Sequence, residues 1–502
     1  MRVPPFGSRT LLGVSLVAIT ACLQPARDAA SKGQWSYDVD APAEGSRIVK
    51  VRASFENLQE GRLALTREAA PHVENLEVWD TGSWRPIALQ GSQWSTAACV
   101  GSCRIRYSID LDSVASACAD EIDCASRVDD STLSPALTWL IHPQPKTDVP
   151  VTVRVHTPNA TQFMTGMSAP DDAAQSFAFR SFDLDEGSFT AFGPMRRYRV
   201  DMPAGPGKAS ARIDVSILGR HEYAMSDLAM KAWVEDAADA VTGLFGRFPV
   251  DRASLFVVPA VGESDVVFGK VLSLAGASIA IVVGDQMPAH ERRHDWVLVH
   301  ELFHLGFPTF RGEGRWLGEG LATYYEPILR ARSGWQTGER VFREFARNMP
   351  RGVALRGSAA LAQRDDLDSV YWGGALFCLA TDVRIREETH GRFSLDHLMR
   401  AILAKGGDAT KVWTVAEVVA LGDTVTGTKV MSDMYDRHAA RGERIDLDGL
   451  LVSLGIMRGE GHRLSLNDAS PLAWVRRDIT AASSDDAVAS RPANRHSRGE
   501  VP

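Results

Sequence analysis

One pentapeptide constrains this 502-residue chain more than any other stretch: His300-Glu301-Leu302-Phe303-His304. It is set behind the apolar run Trp296-Val297-Leu298-Val299 and in front of Leu305. Residues four apart share one face of a helix. On a helix, then, both imidazoles reach one point where a single metal ion can take them, and Glu301 lies beside the open side of that point. Gly306 and Pro308 predict the stop, the first as a C-cap and the second as a residue that cannot continue a helix. The pentapeptide also arises by chance, so its neighbours have to decide.

A hydrolytic metal centre needs a third ligand on a neighbouring element and leaves its fourth position to water. Fifteen residues after His304 stands Glu319, within Arg315-Trp316-Leu317-Gly318-Glu319-Gly320-Leu321-Ala322-Thr323-Tyr324-Tyr325. An acid embedded between apolar and glycine residues at a helix start needs a cation. Two helices joined by the turn around Pro308 to Gly314 pack antiparallel, which brings Glu319 back to the histidine pair.

With these residues the chain resembles the gluzincin zinc peptidases, in which H-E-x-x-H is followed by W-L-x-E-G. Among them it is most similar to the aminopeptidase superfamily, especially the glycyl aminopeptidases. Tyr371-Trp372-Gly373-Gly374-Ala375-Leu376, with Asp382, Ile385, Arg386, Thr389 and Ser394-Leu395-Asp396 behind it, is similar to that family's helix after the catalytic tyrosine. The resemblance covers roughly residues 225–455 and is faint before them.

The resemblance implies a thermolysin-like catalytic domain acting on a peptide substrate. His300, His304 and Glu319 would hold one Zn2+ per chain. Glu301 would be the general base, taking a proton from the metal-activated water and passing it to the leaving amine. Tyr371 would donate a hydrogen bond to the oxyanion, with Tyr324 and Tyr325 competing for the role. Thr323, one turn beyond Glu319, would orient a zinc histidine.

Two departures from the family bear on the substrate. The gap between His304 and Glu319 is shorter than is usual for aminopeptidases, and their Gly-x-Met-Glu-Asn motif is absent. Gly276-Ala277-Ser278-Ile279 takes its place, ahead of what reads as an edge strand able to hold an extended peptide by backbone pairing. That segment carries no carboxylate for a free α-amine, although Glu263 and Asp265 lie in a nearby loop, so exo- and endo-cleavage both stay open. Two other functions stand beside the peptidase. One is hydrolysis of modified peptides or other amides on the same fold, and the other is a binding lipoprotein with a vestigial site.

The remainder of the chain suggests how such a centre is housed and delivered. Arg2 and Arg9 precede the apolar run Leu11 to Ile19, which is shorter than the roughly 20 residues a membrane anchor takes and reads as an export signal. Ile19-Thr20-Ala21-Cys22 resembles a bacterial lipobox, implying cleavage after residue 21, acylation of Cys22 and a cell-envelope lipoprotein held on its membrane by acyl chains. A plain signal peptide is the alternative. Residues 22–33 read as a tether.

Cys99, Cys103, Cys118 and Cys124 predict two disulfides in an oxidising compartment, the local pairs being the simplest of three pairings, with a four-thiolate zinc site as the rival. Lone Cys378 reads as a buried thiol. Period-2 alternation at Val49-Val51-Ala53-Phe55, Ile105-Tyr107-Ile109, Val151-Val153-Val155 and Ile213-Val215-Ile217 predicts an antiparallel β-sandwich-like domain over 34–218. An amphipathic helix over Ser226 to Phe245 then opens a catalytic domain over 219–405, followed by a helical part over 406–480 and a polar, disordered tail over 481–502. The fold class is therefore α+β and multidomain. A net charge of −8 with no basic stripe argues against nucleic acid as a partner.

Overall fold

The computed structural model describes residues 33–481, apart from 44, 158–162, 171–174, 204–209, 354–359 and 459–463. The export signal, Cys22 and the tail beyond 481 lie outside the described residues.

The first strand, Trp35–Asp40, buries every second side chain, as its alternation dictates. It pairs antiparallel with Ile48–Leu58 and parallel with Pro150–His156 in a seven-stranded sheet. The sheet is thus mixed where antiparallel pairing was expected, because alternation reports a buried face and not the direction of the neighbour. Trp35, Tyr37, Val51, Phe55, Tyr107 and Val153 form the centre of its core. Full burial of each such side chain contributes about 1.5–3 kcal/mol. The two buried tyrosine hydroxyls donate to backbone carbonyls, Tyr37 to Ile141 at 2.9 Å and Tyr107 to Trp139 at 2.8 Å, so neither polar group is stranded. Of the three cysteine pairings the local two are formed, Cys99–Cys103 and Cys118–Cys124, which leaves no thiolates for a zinc site there. Cys378 is buried and free.

A second, five-stranded sheet has the order Met195–Met202, Ala211–Leu218, Arg252–Ala260, Ser278–Gly284, Val266–Leu272. Its three middle strands run parallel, and Val266–Leu272 closes one side as an antiparallel edge. The first two strands fall inside 34–218, so the expected boundary at 218 cuts through this sheet. The reason is again that Ile213, Val215 and Ile217 announce a buried face without naming the core it joins; they pack with the helices. The opposite face, at Phe256, Val258 and Ala280, packs against Leu133, Phe189 and Ala191 of the preceding region.

Helices cover the sheet's other face. Asp227–Phe245 is capped by Ser226 and ends at Gly246 in the left-handed conformation. Then follow Val297–His304, Arg315–Arg332, Gly338–Val353, Gly374–Thr389 and Leu395–Ala404. The later helix Val415–Thr426 starts with the Thr414/Glu417 capping box read from the sequence. One short hairpin, Ile456–Arg458 with Leu464–Leu466, interrupts the part expected to be wholly helical; arms of three residues are too short for alternation to register.

Candidate metal centre and active site

The helix Val297–His304 is seated by its apolar face and held by its N-terminus. Leu298, Val299, Leu302 and Phe303 are fully buried, and the Phe303 ring packs between Phe245 and Tyr325. Asp295 accepts from the amides of Val297 at 2.9 Å and Leu298 at 3.1 Å, supplying partners for two of the free first-turn donors. Burial lifts that carboxyl to about 6 despite these bonds. At the other end the chain leaves through i→i+3 bonds, Leu305 to Leu302 and Gly306 to Phe303. Gly306 is not the C-cap the sequence suggested, which is Leu305. Position 306 is a glycine because a Cβ there would stand 2.2 Å from the Phe245 ring.

The predicted ligand trio converges. His300 Nε2 lies 3.3 Å from Glu319 Oε2 and 3.2 Å from His304 Nε2, and His304 Nε2 lies 3.4 Å from Glu319 Oε2. Ligand atoms about 2.0–2.1 Å from a tetrahedral zinc are about 3.3 Å apart, so the three separations fit such an ion. Two imidazole nitrogens and a carboxylate oxygen converging in this way are a donor set that could hold a metal ion. Burial would raise the Glu319 carboxyl, but His304 and His300 hold it far below the usual carboxylate range. Among the described residues one other trio could hold an ion, Asp38, Asp40 and His156. Its cation is already present, since Arg52 bonds Asp38 at 2.6 Å and Asp40 at 3.2 Å.

Glu301 is buried beside the trio, and desolvation raises its carboxyl against the lowering influence of His300 and His304. Its wall is the edge strand: a Cβ on Gly269 would come 2.6 Å from Glu301 Cγ. This corrects the expectation for Gly276, Ala277 and Ser278. All three are buried, and the strand they lead into, Ser278–Gly284, is an interior one. Gly276 has φ +137°, and a Cβ on it would sit 2.2 Å from the Gly166 carbonyl oxygen. Ser278 Oγ donates to Leu272 O at 2.6 Å and accepts from Phe189 N at 2.9 Å. No peptide can reach them. The edge strand beside Glu301 is Val266–Leu272, with Val267 and Phe268 exposed. The sequence signal was there to be used: a glycine inside an apolar strand marks a close approach of something else. Glu263 and Asp265 are exposed.

Tyr371 lies on a π-helical turn, Ser369–Gly373, and its ring stacks on His300 with centroids 6.0 Å apart and planes at 20°. Burial raises its hydroxyl pKa, and Glu319 and Glu301 push the same way. Its competitors are engaged elsewhere: the Tyr324 hydroxyl donates to Asp382 at 2.8 Å and that of Tyr325 to Asp396 at 2.9 Å. Thr323 is buried one turn beyond Glu319, but its hydroxyl and His300 Nδ1 both lack a partner among the described residues, so the expected bond from Thr323 to a site histidine is not formed.

No protein-family model matches the sequence, and no curated protein does. Solved structures do match. An aminopeptidase N family protein from Idiomarina loihiensis is 16% identical with a TM-score of 0.62, over 87% of this chain and 82% of that one. An M1 zinc metallopeptidase from Deinococcus radiodurans is 15% identical with a TM-score of 0.50, over 83% and 96%. Native yeast LTA4 hydrolase is 13% identical with a TM-score of 0.50, over 87% and 69%. At these identities the likeness is one of fold. The chain has the fold of the M1 aminopeptidase-type zinc metallopeptidases, in line with the resemblance of its motif residues to the gluzincins.

Proposed function

We propose that this chain is a zinc-dependent peptidase that hydrolyses peptide bonds with Glu301 as general base. The observation that carries the reading is the meeting of His300, His304 and Glu319 at tetrahedral ligand separations with the Glu301 carboxyl beside them. Zinc held by that trio would supply Lewis acidity for the carbonyl and a more acidic water. Glu301 removes a proton from the attacking water and delivers it to the departing amide nitrogen as the C–N bond breaks. The Tyr371 hydroxyl donates to the oxygen that gains charge. An extended substrate pairs along the edge strand Val266–Leu272, which Gly269 allows to lie directly against Glu301.

One feature favours substrates without a free α-amine, either internal sites or modified peptides. The residue after Gly269 on the edge strand is the exposed Lys270, whose charge acts on both Glu301 and His304. An ammonium there offers nothing to a protonated N-terminus. Acylation of Cys22, which would tether the enzyme to an envelope membrane, is part of the same proposal; an unmodified mass for the N-terminal peptide of the membrane fraction would refute it.

The test is a peptide-library digest with free and acetylated N-termini, using wild type and Glu301→Gln. Zinc is expected at one per chain in both proteins, with cleavage by the wild type and a loss of about 10²–10⁴-fold in the variant. Equal cleavage by Glu301→Gln removes the mechanism, and failure of the wild type to retain zinc removes the site. Cleavage confined to free N-termini removes the preference argued from Lys270.

A further inference from the structure

We infer that the outer face of the seven-stranded sheet docks on anionic phospholipid headgroups of the membrane that receives the acylated Cys22, an inference that rests on the acylation proposed above and not on the peptidase chemistry. Strand register sets the residues of that face in two rows. Arg154, Asp38, Arg52, Arg106 and Glu77 stand each opposite the next across five strands. Beside them run Thr152, Ser36, Ser54 and Arg104, with Trp79 opposite Trp84 on the last two strands. Alternation turns all of these away from the core that Tyr37, Val51 and Val153 fill.

Charge and shape on this face suit a phosphodiester. Asp38 and Asp40 hold Arg52 at 2.6 and 3.2 Å, and Glu77 holds Arg106 at 2.6 Å. That leaves Arg104 and Arg154, both exposed, without an ion pair among the described residues. Arg104 lies over the Trp79 ring at 5.0 Å and Arg106 over Trp84 at 4.5 Å, and the two indoles meet edge to face at 5.3 Å. A guanidinium stacked on an indole has its rotamers restricted and its N–H edge turned outward, the form in which arginine grips phosphate oxygens in pairs. Between Arg104 and Arg154 the side chains of Ser36, Ser54 and Thr152 are short, and over them lies a concavity of about 470 Å³. Tryptophan beside it suits the polar edge of a bilayer.

The chain's own anchor brings this face to a membrane. Gln34 and Ser36 line the same concavity, and Cys22 lies thirteen residues before Trp35, a contour of at most about 45 Å. Acyl chains at Cys22 hold the face within reach of the headgroups, so docking is intramolecular and weak contacts suffice. Each arginine at an anionic surface strengthens binding about fivefold, so the two unpaired ones together contribute about 25-fold.

The experiment is residue-resolved labelling of the full-length acylated protein on vesicles, with phenylglyoxal for arginines and brief hydroxyl-radical oxidation for tryptophans, read by mass spectrometry. On equimolar phosphatidylglycerol and phosphatidylcholine, labelling of Arg104, Arg154 and Trp84 is expected to fall about tenfold relative to phosphatidylcholine alone. It is expected to recover in about 1 M salt, where the Debye length is about 3 Å. Arg104→Glu combined with Arg154→Glu is expected to abolish the protection of Trp84, with peptidase activity on a soluble peptide and the thermal midpoint at wild-type values. Equal protection on both kinds of vesicle, protection on neither, or protection of Trp84 that persists in the double variant each overturn the inference. So does equal protection by inorganic phosphate on neutral vesicles, which makes the face a small-anion site. An unacylated mass for the N-terminal peptide removes the anchor and this inference together, while cleavage of the soluble peptide tests the peptidase separately.

Discussion

Adding one methyl group at Gly269 tests the placement of Glu301 without touching a ligand or an ionisable group. In Gly269→Ala the new Cβ would lie 2.6 Å from Glu301 Cγ, 2.8 Å from Glu301 Oε1 and 2.8 Å from Val297 Cγ1. Gly269 is not among the glycines of positive φ, so the alanine meets no backbone strain and the effect is purely one of crowding. Carbon atoms prefer about 3.5–4.0 Å, so the crowded atoms must withdraw by roughly 1 Å. Overpacking of this kind costs about 1–3 kcal/mol of stability. A displacement of 1 Å at a catalytic group costs on the order of 10²-fold in rate. Glu301 is not one of the three converging ligands, so zinc should stay at one per chain. The assay is kcat and KM on a cleaved peptide, beside metal content and a urea denaturation curve. A kcat within about twofold of wild type, in a protein destabilised as expected, would refute the idea that the edge strand positions the general base. Loss of zinc would refute the separation drawn between Glu301 and the trio.

Two further outcomes concern stability. His142 is buried, with Nδ1 bonded to Leu140 O at 3.2 Å, and burial together with Lys146 lowers it to about 4. Its unfolded value is about 6.5, so the unfolded chain takes up the proton first; stability present above about pH 6.5 is lost as pH falls towards 4, by on the order of 3 kcal/mol. Urea titrations at stepped pH should show this slope in the wild type, and finding it undiminished in His142→Asn would count against His142 as its source. Gly318 lies within the Glu319 helix with nothing inside 4 Å of its would-be Cβ. Gly318→Ala should therefore stabilise by about 0.5–1 kcal/mol through helix propensity and lost chain entropy. A thermal or urea midpoint below wild type would mean that the space is not open.

What the sequence determined by itself was everything that depends on spacing along one helix or between two consecutive ones. The four-residue spacing of His300 and His304 is a property of any α-helix. The return of Glu319 needed only a short turn before an antiparallel neighbour. The Thr414 capping box formed as written, while the cystine pairing, open among three in the sequence, closed on the two local pairs. Tertiary structure alone decided whatever joins residues far apart in the chain. Alternation told that Ile213 to Ile217 and Ile279 to Val283 have buried faces, but strand order made the first a member of the five-stranded sheet and the second an interior strand. The edge beside Glu301 consequently passed from Gly276–Ser278 to Gly269. Tyr324 and Tyr325 competed with Tyr371 until packing gave Tyr324 to Asp382, 58 residues away, and Tyr325 to Asp396, leaving Tyr371 against His300. A side chain's period says which way it points. Its partner is settled only when two surfaces meet, and at this centre the meeting of Gly320 with Gly374 brings the Glu319 helix onto the Tyr371 segment.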